Sequence, residues 1–219
     1  MPDPSALLRQ LAISAVPILI AITFHEVAHG YVANRLGDRT AAAMGRLTLN
    51  PLAHIDPVGT VLMPLLLLIF TNGQFVFGYA KPVPINPYNF DNPRRGMAIS
   101  AAAGPATNIA LALASVLLIK LVLVPASAFI PEAVAVPLFL MLRYSVLINV
   151  VLAVFNLIPV PPLDGGRVAV GFLPRRQAMA LSRLEPYGMI IVIILIVTGI
   201  AGLFMRPIMN LLLSILGRI

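Results

Sequence analysis

The sequence predicts an all-α polytopic membrane protein. The expected form is a helical bundle of about four full spans, plus a re-entrant or interfacial segment and a short extended or β-like loop. Three observations carry this. The 219 residues are 59% hydrophobic and 11% charged, with a mean hydropathy of +0.96, whereas soluble domains carry about a quarter charged residues. Apolar stretches long enough to cross a bilayer, about 20 residues each, recur along the chain. A stretch from Thr71 to Pro93, rich in Gly, Pro and Asn, reads as extended loop. A chain of this length has room for one membrane domain spanning residues 1–219.

The same composition excludes several classes. The net charge of +7 speaks for topology and contact with the anionic lipid bilayer. No basic run with interleaved aromatics suggests a nucleic-acid partner. With no cysteine, disulfides are excluded, and a metal ion must be held by nitrogen and oxygen.

Taken in order, the first helix runs from Leu7 to about Leu36 and ends at Gly37-Asp38-Arg39, with Gly37 suited to a C-cap. Its apolar stretch is too long for the core of a signal peptide. A polar connector covers 38–57. Val58 to Phe70 is apolar but interrupted by Pro64. At 1.5 Å per residue it reaches roughly 20 Å, short of the ~30 Å hydrocarbon core. It therefore reads as re-entrant or interfacial. Within 71–93, Gln74–Gly78 and Lys81–Asn86 read as short extended pieces able to present an edge to an extended peptide.

The second span falls within Arg94–Val124 and carries Ala103-Gly104-Pro105-Ala106-Thr107-Asn108. Small residues there permit close helix contact, and Asn108 is a polar group at membrane depth. Pro125–Pro137 reads as a turn region, and the third span as Leu138–Ile158, with Asn149 and Asn156 along it. Prolines 159, 161 and 162 forbid helix interior; Asp164 follows, ahead of the pair Gly165-Gly166. Residues 174–184 form a basic amphipathic piece, Tyr187 to Phe204 the last span, and 205–219 an interfacial apolar tail.

The chemistry is concentrated in Thr23-Phe24-His25-Glu26-Val27-Ala28-His29-Gly30. This H-E-x-x-H pattern puts two imidazoles four residues apart on one helix face, where both reach one metal ion. Glu26, one residue on, has the place of the general base that activates water in zinc peptidases with this motif. A charged residue inside a membrane span is costly and marks function.

Catalytic zinc sites use three protein ligands. The histidine of the longer metzincin pattern is absent, because positions 32 and 35 are Val32 and Arg35. His54 is the remaining histidine, but a loop histidine between two prolines suits a hydrogen-bonded turn or a substrate channel better. Glu132 and Glu185 lie in no helix near the motif. Among the acids Asp164 alone sits in a rigid, membrane-adjacent turn, and it is the preferred third ligand.

Three blocks in this order resemble the site-2 protease family of intramembrane zinc metallopeptidases: His25–His29, Ala103–Asn108 and Asn156–Gly166. They cover the chain from about residue 20 to 170. The resemblance implies one Zn2+ held by His25, His29 and Asp164, Glu26 as base, and Asn156 and Asn108 lining the active site. It implies a transmembrane protein as substrate, and that Gly78-Tyr79-Ala80-Lys81-Pro82 is similar to the extended loop that receives it. No insertion resembling a PDZ domain or domain resembling a CBS module is found in these residues, so regulation through such modules is not implied.

For the three blocks to meet at one depth, the first and third spans must run one way and the second the other, so 58–70 is no complete crossing. Ten basic residues then fall on the active-site side: Arg35, Arg39, Arg46, Lys81, Arg94, Arg95, Arg167, Arg175, Arg176 and Arg183. Arg9, Lys120, Arg206 and Arg218 fall opposite, and Arg143 is assigned to neither side. By the positive-inside rule the site opens to the cytoplasm of a bacterial or archaeal cell membrane. The rival reading is a membrane metal-binding or transport protein using the same histidine pair. It calls for acids repeated across several spans, and only Glu26 lies clearly within one.

Overall fold

A computed structural model describes residues 4–70 and 78–217, and among these the chain is helical with no β-strand. Helix α1 runs from Pro4 to Arg35. The short α2 (Thr40–Ala43), a 3-10 turn at Pro51–His54 and a π-helical turn at Pro57–Leu62 lead into α3, Met63–Phe70. Residues 78–86 are irregular, and the expected extended piece at 74–77 lies outside the described residues.

Helix α4 (Pro93–Leu118) passes through a π-turn at Ile119–Leu123 into α5, Val124–Ala126. Asn92 caps its start, accepting from the Arg95 N–H, and Pro93 occupies the first turn, where no amide is needed. Helix α6 covers Glu132–Asn156, α7 Asp164–Phe172, α8 Arg175–Ser182, α9 Gly188–Val197 and α10 Ile200–Ile215.

Among the described residues, four helical segments are long and apolar enough to cross a membrane: Arg9–Arg35, Pro93–Ala126, Glu132–Asn156 and Arg175–Val197. Pro57–Phe70 falls short of a span, as its length predicts. Side-chain bonds set the directions. Asn108 on α4 reaches Ala21 of α1, while Ser100, earlier on α4, meets His29 of α1. Asn108 pairs with Asn149 and Ser115 with Ser145 on α6. Thus α4 runs antiparallel to both α1 and α6, which brings one end of each to a common level.

Two expected boundaries move. The third span begins at Glu132, not Leu138: the Pro131 carbonyl accepts from the amides of Val134 and Ala135, and the helix continues through Pro137 at the cost of the bond its missing amide would make. The expected last span, Tyr187–Phe204, is broken at Gly199, whose φ of +77° ends α9. The tail is not a separate interfacial piece. Helix α10 lays Met205, Ile208, Met209, Leu212, Leu213 and Leu216 on the buried cluster Ala112, Val116, Val146, Val150 and Val154 from α4 and α6.

Candidate active site and metal centre

Helix α1 delivers His25 and His29 one turn apart, and Asp164 enters from the first turn of α7. A sharp reversal makes this possible. The chain leaves α6 at Asn156, turns through Pro159–Pro162 and folds back on itself. A side-chain carbon on Gly165 would stand 2.3 Å from the Leu157 carbonyl oxygen, and one on Gly166 2.1 Å from the Pro161 nitrogen. The Gly pair is therefore required by close approach rather than by an unusual φ. Arg94 on α4 donates to the Val170 and Gly171 carbonyls (3.1 Å each) and to that of Leu173, clamping the far end of α7.

The three candidate ligand atoms form a compact triangle. His25 Nε2 and His29 Nε2 are 3.0 Å apart, and Asp164 Oδ2 is 3.2 Å from the first and 3.3 Å from the second. Four ligands at about 2.0 Å around a tetrahedral zinc ion would stand about 3.3 Å apart. All three side chains are buried, 7–8% exposed.

The outer nitrogens settle which atoms face inward. His29 Nδ1 lies 2.7 Å from the Ser100 carbonyl oxygen, which can only accept, so Nδ1 carries the proton and Nε2 a lone pair. His25 Nδ1 lies 2.5 Å from Asn108 Oδ1, which assigns His25 the same tautomer. Two lone pairs and a carboxylate oxygen thus point at one another, and Asp164 Oδ2 is buried without a hydrogen-bond donor. Such a cluster is electrostatically unfavourable until a cation joins it. Among the described residues, this is the group of His, Asp and Glu side chains placed to hold a metal ion.

Gly104 closes the back of the cluster. A side-chain carbon there would lie 2.5 Å from the His29 ring and 2.6 Å from that of His25. Gly104→Ala should therefore splay the two imidazoles, cost about 1–3 kcal/mol of stability and weaken zinc binding. Thermal melting and chelator competition on the purified variant measure both effects, and unchanged values would show that the helices can simply separate.

Glu26 is half-buried, and its Oε2 accepts a 2.9 Å hydrogen bond from the Val83 N–H. Pro82 and Pro84 flank Val83 and have no amide proton, so Val83 offers the single N–H of this tripeptide, and it is directed at Glu26. The segment is tied down twice on its N-terminal side. Arg46 donates to the Lys81 carbonyl at 3.0 Å, and the Lys81 N–H donates to the His54 carbonyl at 2.9 Å.

Asp38, at the end of α1, anchors the next part of this segment. It accepts from the Asn86 N–H (2.7 Å), Asn89 Nδ2 (2.7 Å) and both the hydroxyl (2.5 Å) and N–H (3.1 Å) of Thr40. Burial pushes its carboxyl up, but these hydrogen bonds outweigh burial and hold it below the ordinary 3.8. A folded-state pKa below the unfolded one stabilises the fold above pH ~4, and that stability is lost as the pH falls further. Wild type should therefore lose more stability between pH 6 and pH 3 than Asp38→Asn does. Parallel melting curves in detergent would contradict this assignment.

The other predicted residues sit further out. Asn108 is fully buried behind His25, where it contacts no open cavity. Asn156 donates to Leu152 of its own helix at 3.0 Å and makes no hydrogen bond to the ligand cluster or Glu26. His54 is buried beneath the loop, with Nε2 2.8 Å from the Thr48 carbonyl, and is a turn residue. Gly78 and Tyr79 pack against the 57–64 segment: the Tyr79 N–H donates to the Gly59 carbonyl, and the Tyr79 ring covers Gly59. Val83 and Ser100 carry no mark of their own in the sequence, and Asn149 is marked there only as a polar residue along the third span. The Pro-Val-Pro spacing was the one available signal for Val83.

Membrane-length helices closing on two imidazoles, a carboxylate and an adjacent glutamate have the parts of a membrane-embedded metallopeptidase. The profile described as Peptidase family M50 matches residues 123–199, which include Asp164. Over 207 residues the chain is 35% identical to "Putative zinc metalloprotease YwhC" of Bacillus subtilis, covering 94% of this chain and 89% of that one. It is 30% identical over 180 residues to "Putative zinc metalloprotease Rip2" of Mycolicibacterium smegmatis (82% of this chain, 64% of the relative). It is 29% identical over 192 residues to the protein of that name in Mycobacterium tuberculosis (88% and 66%). No solved structure gives a significant match. The chain belongs to peptidase family M50, the site-2 protease family of zinc metallopeptidases, and is an integral membrane protein.

Proposed function

We propose that this protein is an intramembrane endopeptidase that hydrolyses peptide bonds within or near the transmembrane segments of other membrane proteins. The observation that carries this reading is the convergence of His25 Nε2, His29 Nε2 and Asp164 Oδ2 within 3.3 Å of one another, between apolar helices and beside Glu26. These three atoms would hold zinc, and two neutral imidazoles with the carboxylates of Asp164 and Glu26 balance a dication. Bound there, zinc supplies a Lewis acid that polarises a carbonyl and lowers the pKa of water toward about 7.

The chain's own groups do the rest. Ser100 and Asn108 orient the imidazoles, and Gly104 lets α4 approach them. The Val83 N–H holds one oxygen of Glu26 and leaves the other free to take the proton of the attacking water and pass it to the leaving amine. The surrounding apolar helices limit access of bulk water. A helical substrate shields its carbonyls with its own hydrogen bonds, so the scissile stretch must be unwound, and helix-breaking residues near it are expected.

The site faces the cytoplasm in this reading, supported by the excess of Arg and Lys on the loops at that end. The test is cleavage of tagged transmembrane peptides, with and without a central Gly-Pro pair, by purified protein in detergent. Chelator-sensitive cleavage favouring the broken helices is expected. Zinc flux into liposomes that survives Glu26→Gln, with no peptide cleaved, would instead indicate a transporter.

A further inference from the structure

A line of buried polar side chains leads from His25 away from the site, into the middle of the bundle. Asn108 on α4 follows His25, then Asn149 on α6, then Ser145 and Ser115, and both asparagines are fully buried. The proposed chemistry uses none of the last three.

The direction of the bonds from Asn149 to His25 is fixed by two main-chain carbonyls, which can only accept. Asn149 Nδ2 lies 2.8 Å from the Ser145 carbonyl, so the amide nitrogen of Asn149 must face that way. Its Oδ1 is therefore turned to Asn108, 2.8 Å from Nδ2. The same Asn108 nitrogen lies 3.2 Å from the Ala21 carbonyl of α1. With Nδ2 bound on both sides, Asn108 Oδ1 is left for His25 Nδ1 at 2.5 Å, and His25 must carry its proton there. An Asn108 side chain turned the other way round would offer N–H to Nδ1, drive the ring proton to Nε2 and remove the lone pair that faces His29 and Asp164.

We propose that Asn149 is a positioning residue that sets the tautomer of His25 through Asn108, and so sets the metal affinity of the site from a helix that supplies no ligand. This rests on the reading of His25 as a metal ligand. Partners of this kind behind a ligating histidine typically change metal affinity 10–100-fold when lost. A residue one bond further back acts through the same atom.

The test is a double-mutant cycle on the full chain in detergent, depleted of metal and titrated with zinc against a competing chelator. Asn149→Leu removes the acceptor facing Asn108 at similar volume, and should weaken zinc binding about 10-fold or more. Asn108→Ala is the diagnostic partner: it removes the amide that stands between Asn149 and His25, and with it the route by which Asn149 acts. In the Asn108→Ala background, Asn149→Leu should have little further effect on zinc affinity. Side-chain 15N shifts of metal-free His25 should show Nδ1–H in wild type and a mixture of tautomers in Asn149→Leu.

Equal losses of affinity in both backgrounds would overturn the proposal, since they would mark Asn149 as a packing residue. So would wild-type affinity in Asn149→Leu. Should Asn149→Leu fail to fold, Asn149→Ser takes its place in the cycle, because its shorter hydroxyl can bond the Ser145 carbonyl but falls short of Asn108. A His25→Ala variant binding zinc like wild type would overturn something different, the ligand reading itself.

Discussion

Glu26→Gln is expected to lower peptide cleavage by about 10²–10⁴-fold, the usual contribution of a general acid–base group, while leaving zinc content unchanged. Glutamine keeps the size of the side chain and can still accept from the Val83 N–H, so the 82–84 segment stays in place. What it lacks is a basic oxygen on its other side. The effect should fall on kcat more than on KM, because in the proposed mechanism Glu26 takes the proton during reaction and does not hold the peptide. Cleavage at the wild-type rate by a zinc-loaded Glu26→Gln protein would remove Glu26 from the mechanism.

The second large effect is expected at Asp164. Asp164→Ala removes one of the three donors and leaves two neutral imidazoles 3.0 Å apart, lone pair to lone pair. Zinc should be lost at ordinary buffer concentrations and cleavage with it. The fold should survive, because α7 remains anchored by Arg94 and by the close packing of Gly165 and Gly166. Asp164→Asn separates charge from geometry: its amide oxygen can face the cluster but carries no charge, so weakened rather than abolished zinc binding is expected. Zinc analysis of the dialysed variants reads both cases. Full occupancy in Asp164→Ala would move the third ligand elsewhere.

The parts of this site legible in the sequence were those expressed as spacing along one element. His25, Glu26 and His29 are such a set, since four residues are one helical turn. Asp164 was legible by elimination, as the acid held in a stiff turn at the end of an apolar span. The four spans were legible because a bilayer imposes length and apolarity.

What stayed hidden depends on which helix faces meet. Asn108, Asn149 and Asn156 look alike in sequence, each a lone amide in an apolar helix. Only the packing of α4 between α1 and α6 puts the first two into the line behind His25, while the third bonds to its own helix. Val83 acts through its backbone N–H, so its side chain gave no hint, and the bracketing prolines were the sole trace. The break at Gly199 was masked because apolar residues continue on both sides of it.

Resemblance to the family put Gly78 and Tyr79 at the substrate loop. In the structure these two residues hold that loop to the 57–64 segment, and Val83 is the residue that reaches Glu26. The amides of Tyr79, Lys81, Val83 and Asn86 are all bonded to the protein itself. An incoming extended peptide would therefore meet few free donors on this segment as it stands.

The most direct test of the central claim is zinc stoichiometry with X-ray absorption at the zinc edge, on purified wild type and His25→Ala. The expected result is one zinc per wild-type chain, with two imidazole nitrogens and oxygen ligands at about 2.0–2.2 Å, and loss of that signal in His25→Ala. A wild-type protein without tightly bound zinc, or an unchanged spectrum in His25→Ala, would contradict the assignment of this cluster as the metal centre.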